Sequence, residues 1–554
     1  MKKTLVSLLT LALLAACGDS TETLTFDGAV TVVTADTIYT GNADEPVVGG
    51  LVIGEDGRIL ATIPKDQWID ILPSVGEPEM LAFPGATLFP GFVDGHAHLQ
   101  GIGERELTLN LAGTGSVAEL VEKVAGVAAE QEPGTVIVGR GWIETGWPEG
   151  RMPNRLDLDA VAPNHSVILT RADGHALVAN TLALTRGGIV DSTPDPSGGA
   201  IERDEDGVAT GILVDKAMDF VRKLISSPTD EGLAERLEMG AQVYAQRGWT
   251  GLHNMSVGPR EAPIMEALDG EGRLPVRVHN AFNANGMDIA IERRHETDTI
   301  QNRAVKLYMD GALGSRGALL FEPYSDRPDT RGLALRTKEE TVGLLAQAAE
   351  NNVQIAFHAI GDKANFDALD WMYEAIEGVE DPRWRVEHAQ ILRLEDIMSF
   401  GDTGILASMQ PSHAIGDLKF AEDRLGLARL EGAYAWQPVL DKGGLVVGGS
   451  DAPVEVGSPL IEFYAAVARK DLEGNSGEGW HPESAVSRED ALAMFTSAAA
   501  FASFQEDDLG TLEVGKLADI TGFDKDLMII PEDEILSANA VVTMVGGEVV
   551  WSSE

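Results

Sequence analysis

Through the middle of this chain, short apolar runs alternate with segments whose apolar residues return every three or four positions, the pattern of strands followed by amphipathic helices. Eight runs read as strands: Leu88–Asp94, Thr250–Ser256, Pro275–Asn283, Ala304–Gly311, Gln354–Ile360, Trp384–Gln390, Gly404–Gln410 and Leu445–Ser450. Helical patterns such as Lys338–Asn351 and Lys363–Glu377 join several of them. Repeated strand–helix units favour a parallel sheet covered by helices, and eight of them predict an α/β fold, a (β/α)8 barrel of the TIM type. One interval, about 101–247, breaks the rhythm. It holds the strand-like Thr135–Gly139 and Val167–Thr170 and predicts an inserted subdomain over the barrel mouth.

The two ends have a different texture. Ala29–Val33, Thr37–Tyr39, Gly50–Ile53, Arg58–Ile63 and Met80–Leu88 read as short strands, with Glu55-Asp56-Gly57-Arg58 as a hairpin turn. Residues Gly510–Ile520 and Ala540–Trp551, the latter broken by Gly546-Gly547, repeat that texture, so the two ends are expected to combine into one small β-sandwich. The start of the chain is different again. Lys2 and Lys3 precede the apolar Leu5–Leu14 and then Leu14-Ala15-Ala16-Cys17, a charged, apolar and small-residue sequence typical of a secretory signal and too short to span a bilayer. Leu-Ala-Ala-Cys resembles a bacterial lipobox, which implies cleavage before Cys17 and lipidation of its thiol. The expected plan is a signal peptide over 1–16, a lipidated tether over 17–22, sandwich over 23–87, barrel over 88–505 and sandwich again over 506–554. Gly18 after the cysteine favours an exported lipoprotein on the outer membrane, facing the periplasm.

Composition narrows the partners. Of 554 residues 88 are acidic and 42 basic, a formal charge of -46 that repels phosphate backbones and argues against nucleic acid. A single cysteine excludes an intrachain disulfide and any cysteine-based zinc site. Hydrophobic residues at 44% are enough for a large core, so order is expected along nearly the whole length. Membrane contact is expected through the N-terminal lipid alone, and homo-oligomerisation is left open.

Barrel enzymes carry their reacting groups at the C-terminal ends of the strands. Here the first strand runs into His96 and His98, which the two-residue pleat turns to one side. The fourth carries Lys306, the fifth His358, the sixth His388, and the eighth ends at Asp451. Neutral imidazole is a good ligand for zinc, iron, nickel or copper. For Lys306 an interior ion pair with Asp310 or Glu387 is the competing reading.

With these positions the sequence resembles the amidohydrolase superfamily of metal-dependent hydrolases, in its branch of YtcJ-like proteins and N-substituted formamide deformylases. The resemblance rests on Phe89-Pro-Gly-Phe-Val-Asp-Gly-His-Ala-His98, Arg171-Ala-Asp-Gly-His175, Gly198-Gly-Ala-Ile-Glu-Arg-Asp204, Val305-Lys-Leu-Tyr-Met-Asp-Gly-Ala-Leu-Gly-Ser-Arg316, His358-Ala-Ile-Gly-Asp362, Glu387-His-Ala-Gln390 and Gly449-Ser-Asp-Ala-Pro453. It implies two divalent metal ions, with zinc expected. His96, His98 and Asp451 would hold one and His358 and His388 the other. Lys306, as a carbamate made with carbon dioxide, would bridge them. Such a centre brings a bound water from a pKa of about 15.7 to near 7 and so provides hydroxide at neutral pH. Asp451 would take the water's proton and deliver it to the leaving nitrogen. The resemblance also puts His175 at the substrate carbonyl, against a role in ordering its loop.

Other residues carry two readings each. Arg316 could bind a substrate carboxylate or be paired at the surface. Trp142 and Trp147 could wall the substrate or pack the insertion. His253 and His279 could line the pocket or belong to the core, while His165, His295, His413 and His481 are given no role. The function expected is hydrolysis of a non-peptide carbon–nitrogen bond in an amide, N-formyl or cyclic amide small molecule. The alternatives are a mononuclear deaminase of a heterocyclic amine and a surface lipoprotein that binds a ligand without catalysis. No Gly-x-Ser-x-Gly nucleophile elbow occurs in the sequence, which counts against a serine hydrolase.

Overall fold

The computed structural model describes residues 22–553 other than 66, 68, 173, 175, 197, 198 and 475. The expected signal peptide, Cys17 and His175 lie outside the described residues. At the centre stand eight parallel strands in chain order: Phe92–Ala97, Trp249–Val257, Arg277–Phe282, Ile300–Tyr308, Gln354–Ala359, Arg385–His388, Leu406–Met409 and Val446–Gly448. The first and last meet just beyond their ends. Asp451 N–H donates to His96 O at 2.7 Å and His98 N–H to Ala452 O at 2.8 Å, which brings the sheet round into a barrel-like form. Helices such as Lys338–Glu350 and Asp362–Ala375 cover the outside, and the largest apolar core fills the space between strands and helices.

The first strand begins later than its apolar run suggests. Leu88–Pro90 belongs to the strand Glu79–Pro90 of another sheet, and the barrel strand starts at Phe92. Pro90-Gly91 makes the break, and Gly91 packs so closely on the next strand that a Cβ there would lie 2.3 Å from Thr250 Oγ1.

Both ends of the chain share one seven-stranded sheet. Glu79–Pro90 pairs on one side with Val30–Tyr39, followed by Val47–Gly54 and Ile59–Ile63, and on the other with Ile520–Phe523, followed by Ala540–Val545 and Glu548–Ser552. Glu22–Phe26 and Ile69–Pro73 form a separate pair. The run 510–519 is not a strand. Gly510 and Gly515 take φ of 88° and 97°, and Lys516 N–H closes a turn on Glu513 O.

Between the first and second barrel strands the chain builds a six-stranded sheet from Leu109 to Asp215, which includes Val136–Trp142 and Ser166–Arg171. It has apolar cores of its own. The helix Asp230–Arg247, by contrast, packs on the helix Leu99–Leu107 beside the barrel. Gly103 and Gly240 allow the approach: a Cβ on Gly103 would lie 1.8 Å from Arg236 O.

Candidate metal centre

Strand ends converge on one cavity of about 420 Å³, lined by His96, His98, Lys306, His358, His388 and Asp451. Its floor is the barrel. Its roof includes Gly141, Ile143 and Ala172 of the inserted sheet and its loops. A cavity shared between two folding units is a common place for a small-molecule site.

Asp451 is the centre of the arrangement. Its Oδ1 lies 3.4 Å from His96 Nε2 and 3.2 Å from His98 Nε2, and its Oδ2 lies 3.6 Å from His413 Nε2. Burial alone would raise its carboxyl, but His98, His96 and His388 hold it well below the usual carboxylate range. The backbone there is strained: Asp451 has φ 58° and His388 φ 72°, in the left-handed region that ordinary residues avoid. A second buried carboxylate keeps the loop in place. Asp94 accepts from Ser450 N–H at 2.8 Å, Ser450 Oγ at 2.5 Å, Tyr244 Oη at 2.8 Å and His96 N–H at 3.1 Å.

Each of three histidines spends its inner nitrogen on an acceptor and so turns a lone pair to the cavity. His96 Nδ1–H donates to Glu387 Oε2 at 2.5 Å, His98 Nδ1–H to Met255 O at 3.0 Å and His388 Nδ1–H to Gln410 Oε1 at 2.8 Å. Burial lowers His96 to about 4, with Lys306 adding to the effect, and lowers His388 well below 6.5 with help from His358 and His96. Both rings are therefore neutral at pH 7, the form that binds metal. His358 stacks edge-on to His388 with ring centres 4.4 Å apart, and its Nε2 lies 3.5 Å from Asp310 Oδ1. Lys306 is buried with Nζ 3.2 Å from His96 Nε2. Burial brings its ammonium down to about 8, against the pull of Glu387 and Asp451. This donor set, neutral imidazoles and a carboxylate within reach of one another, fits a divalent ion at His96, His98 and Asp451.

Below the centre, Arg385 binds Glu387 through Nε and Nη2, donates to Ser408 Oγ and His253 Nδ1, each at 2.6 Å, and reaches Gly95 O. Burial would raise Glu387, yet Arg385 and His96 hold it far down, so it is ionised. His253 and His279 lie in this interior, the latter between Gln301 and Gln354. They are buried, and the cavity lining does not include them.

Two expectations about the substrate wall are corrected. Trp142 is fully buried in the insertion's core, donates Nε1–H to Leu169 O at 2.8 Å and packs on Trp147, so it does not reach the cavity. Its neighbour Ile143, the first residue after that strand, does. Arg316 is paired with Asp326 at 2.7 and 3.2 Å, away from the cavity.

His413, given no role from sequence, is brought into the site. It rides on the helix Pro411–Asp417 after the seventh strand, stacks on His388 with ring centres 5.8 Å apart, and lines the cavity. That helix is tied down by Asp417, which accepts from Gln390 Nε2 at 2.7 Å and Tyr434 Oη at 2.6 Å. The available signal was a histidine three residues beyond the strand-ending Gln410.

Barrel-like fold, strand-end donors and mouth cavity describe a metal-dependent hydrolase, and the wider likeness agrees. Residues 84–551 match the model of the Amidohydrolase family, and the chain belongs to that family. It is 31% identical over 491 residues to Putative amidohydrolase YtcJ of Bacillus subtilis (strain 168), covering 86% of this chain and 91% of that one. N-substituted formamide deformylase of Arthrobacter pascens is 28% identical over 499 residues, covering 85% and 89%. Among solved structures, an uncharacterized metal-dependent hydrolase from Pyrococcus horikoshii OT3 superposes with a TM-score of 0.72 at 26% identity, over 91% of this chain and 99% of that one. The chain is thus an enzyme, a hydrolase of a metal-dependent family.

Proposed function

We propose that this enzyme hydrolyses a carbon–nitrogen bond, other than a peptide bond, in a small amide, N-formyl amine or cyclic amide, with two divalent metal ions, zinc by expectation. The observation that carries the reading is the placing of Asp451, with one oxygen toward His96 and His98 and the other toward the cavity and His413. The ions, when bound, supply Lewis acidity that activates water and polarises the carbonyl. His96, His98 and Asp451 would hold the first, and His358 and His388 the second. Asp451 accepts the water's proton through its cavity-facing oxygen and returns it to the leaving nitrogen as the carbon–nitrogen bond breaks. The cavity volume supports a small substrate, and the name of the formamide deformylase relative supports an N-formyl group.

Lys306 is proposed to bridge the ions as a carbamate. Burial brings its pKa down to about 8, which raises the share of neutral amine, the form that adds carbon dioxide by forming an N–C bond and losing a proton. His175 is proposed to reach the substrate carbonyl. The (β/α)8 barrel is the proposed frame, with a β-sandwich formed by the ends.

We propose further that the enzyme is exported and held to the outer membrane, facing the periplasm, by a lipid on Cys17. Among the described residues no helix is long and apolar enough to cross a membrane. Radiolabelled palmitate incorporated by wild type and lost in Cys17→Ser supports the anchor; equal labelling removes it.

The test of function is metal analysis of chelator-free protein together with a panel of N-formyl amines, N-acyl amines and lactams. About two metals per chain and turnover of at least one class are expected. Fewer than one metal, or silence toward the whole panel with metal bound, overturns the reading.

A further inference from the structure

His413 is held as firmly as the expected ligands, yet the proposed reaction gives it nothing to do. Its helix Pro411–Asp417 is clamped through Asp417, and the neighbouring Ser412 N–H donates to Glu462 Oε2 at 3.0 Å. His413 Nε2 is buried at the cavity and has no hydrogen-bond partner among the described residues, a costly state for a polar nitrogen. Asp451 Oδ2 lies 3.6 Å away, too far to share a hydrogen bond with it.

The spacing suits a shared cation instead. Two donors on one tetrahedral zinc, each about 2.1 Å from it, stand roughly 3.4 Å apart. Asp451 Oδ1 keeps such a spacing from His96 and His98, at 3.4 and 3.2 Å, and Asp451 Oδ2 keeps it from His413. His388 supplies a third donor. Its ring stacks on that of His413 with 13° between the planes, and its Nδ1–H is spent on Gln410. The donor atoms of His388, His413 and Asp451 all lie within 4.8 Å of one another. Two imidazoles and one carboxylate suit zinc better than calcium or magnesium.

We propose that His388, His413 and Asp451 form a further position for a divalent ion such as zinc, an alternative place for the second ion to the one held with His358. The single free lone pair of His388 serves one ion at a time, so the two places fill in alternation. An ion at the further position takes up Asp451 Oδ2, the oxygen that carries the proton, and leaves the enzyme idle. The inference rests on the dinuclear reading above.

Metal content of chelator-stripped full-length protein, measured after zinc loading and gel filtration, tests it without reference to turnover. His358→Gln removes a donor of the second position and of no other. It is expected still to hold about two zinc ions per chain, and the double variant His358→Gln with His413→Gln about one. Diffraction at the zinc edge from soaked crystals of His358→Gln is expected to place the second peak about 2.0–2.2 Å from His413 Nε2 and from an Asp451 oxygen. A folded His358→Gln that falls to one zinc, or a double variant that keeps two, overturns the inference while the dinuclear reading stands. Should His358→Gln fail to fold, soaked wild-type crystals, which are also expected to carry zinc density beside His413, decide, and its absence overturns the inference. Wild type saturating at one zinc overturns the dinuclear reading itself, and this inference with it.

Discussion

The interior of the barrel and the interior of the insertion are both buried, but they are held together by opposite means. The insertion is filled by Leu111, Val117, Leu120, Trp142, Trp147, Val167, Leu169 and Val178, an apolar core whose two buried indoles each donate to a carbonyl. The barrel interior holds Lys306, Arg385, Glu387, His96 and His253, bonded to one another across strands far apart in sequence, with His279 held beside them by Gln301 and Gln354. Apolar cores tolerate exchange of similar volumes with losses under about 1.5 kcal/mol. Buried charge networks do not, since removing one partner strands the other. The barrel has given up tolerance for fixed geometry, while the roof above it is free to change shape.

The comparison is broken most sharply at the centre. Asp451→Asn is expected to lower kcat by about 10²–10⁴-fold, and steady-state kinetics at matched metal content measure it; an undiminished rate removes Asp451 as the proton carrier. Next in size, Arg385→Met removes the main counter-charge of the buried Glu387 and leaves it with His96 and Lys306 alone, with an expected loss of about 3–5 kcal/mol. Thermal or urea unfolding of the metal-free protein reads that loss. The double variant Arg385→Met with Glu387→Leu should recover most of it, and a double variant no more stable than the single would show the network is not what holds the barrel interior.

In the roof the effects shrink and change kind. Ile143→Ala opens the cavity wall and should raise KM several-fold with kcat and melting temperature nearly unchanged, while a change in kcat alone would contradict its placement. Trp142→Phe keeps the ring but drops the bond to Leu169, and a stability loss of about 1 kcal/mol with no change in KM is expected. A raised KM in that variant would bring Trp142 back to the substrate.

The same contrast explains what could be read from the sequence. Each of Lys306, His358 and His388 lies near the C-terminal end of a short, largely buried strand, so a local pattern was enough to find them. Seven of the eight strands stand close to where their apolar runs lie, and the eighth was misjudged because Pro90-Gly91 separates two strands inside one apolar run. His413 was not legible. Its place depends on how the helix Pro411–Asp417 is clamped by Gln390 and Tyr434, contacts no periodicity records. Trp142 was misread for a related reason: its parity on a strand decides core or cavity, and Gly141, at φ 110°, disturbs the simple count.

The seam between the first and last barrel strands has a consequence for the molecule's history. Asp94 and Ser450, 356 residues apart, are joined by two hydrogen bonds, and Asp451 closes on His96 beside them. Asp451 and the histidine pair His96 and His98 are therefore made far apart in translation. A chain still emerging from the ribosome has these histidines long before it has the carboxylate that lies beside them, and a fragment lacking either the first or the last barrel strand cannot close the seam.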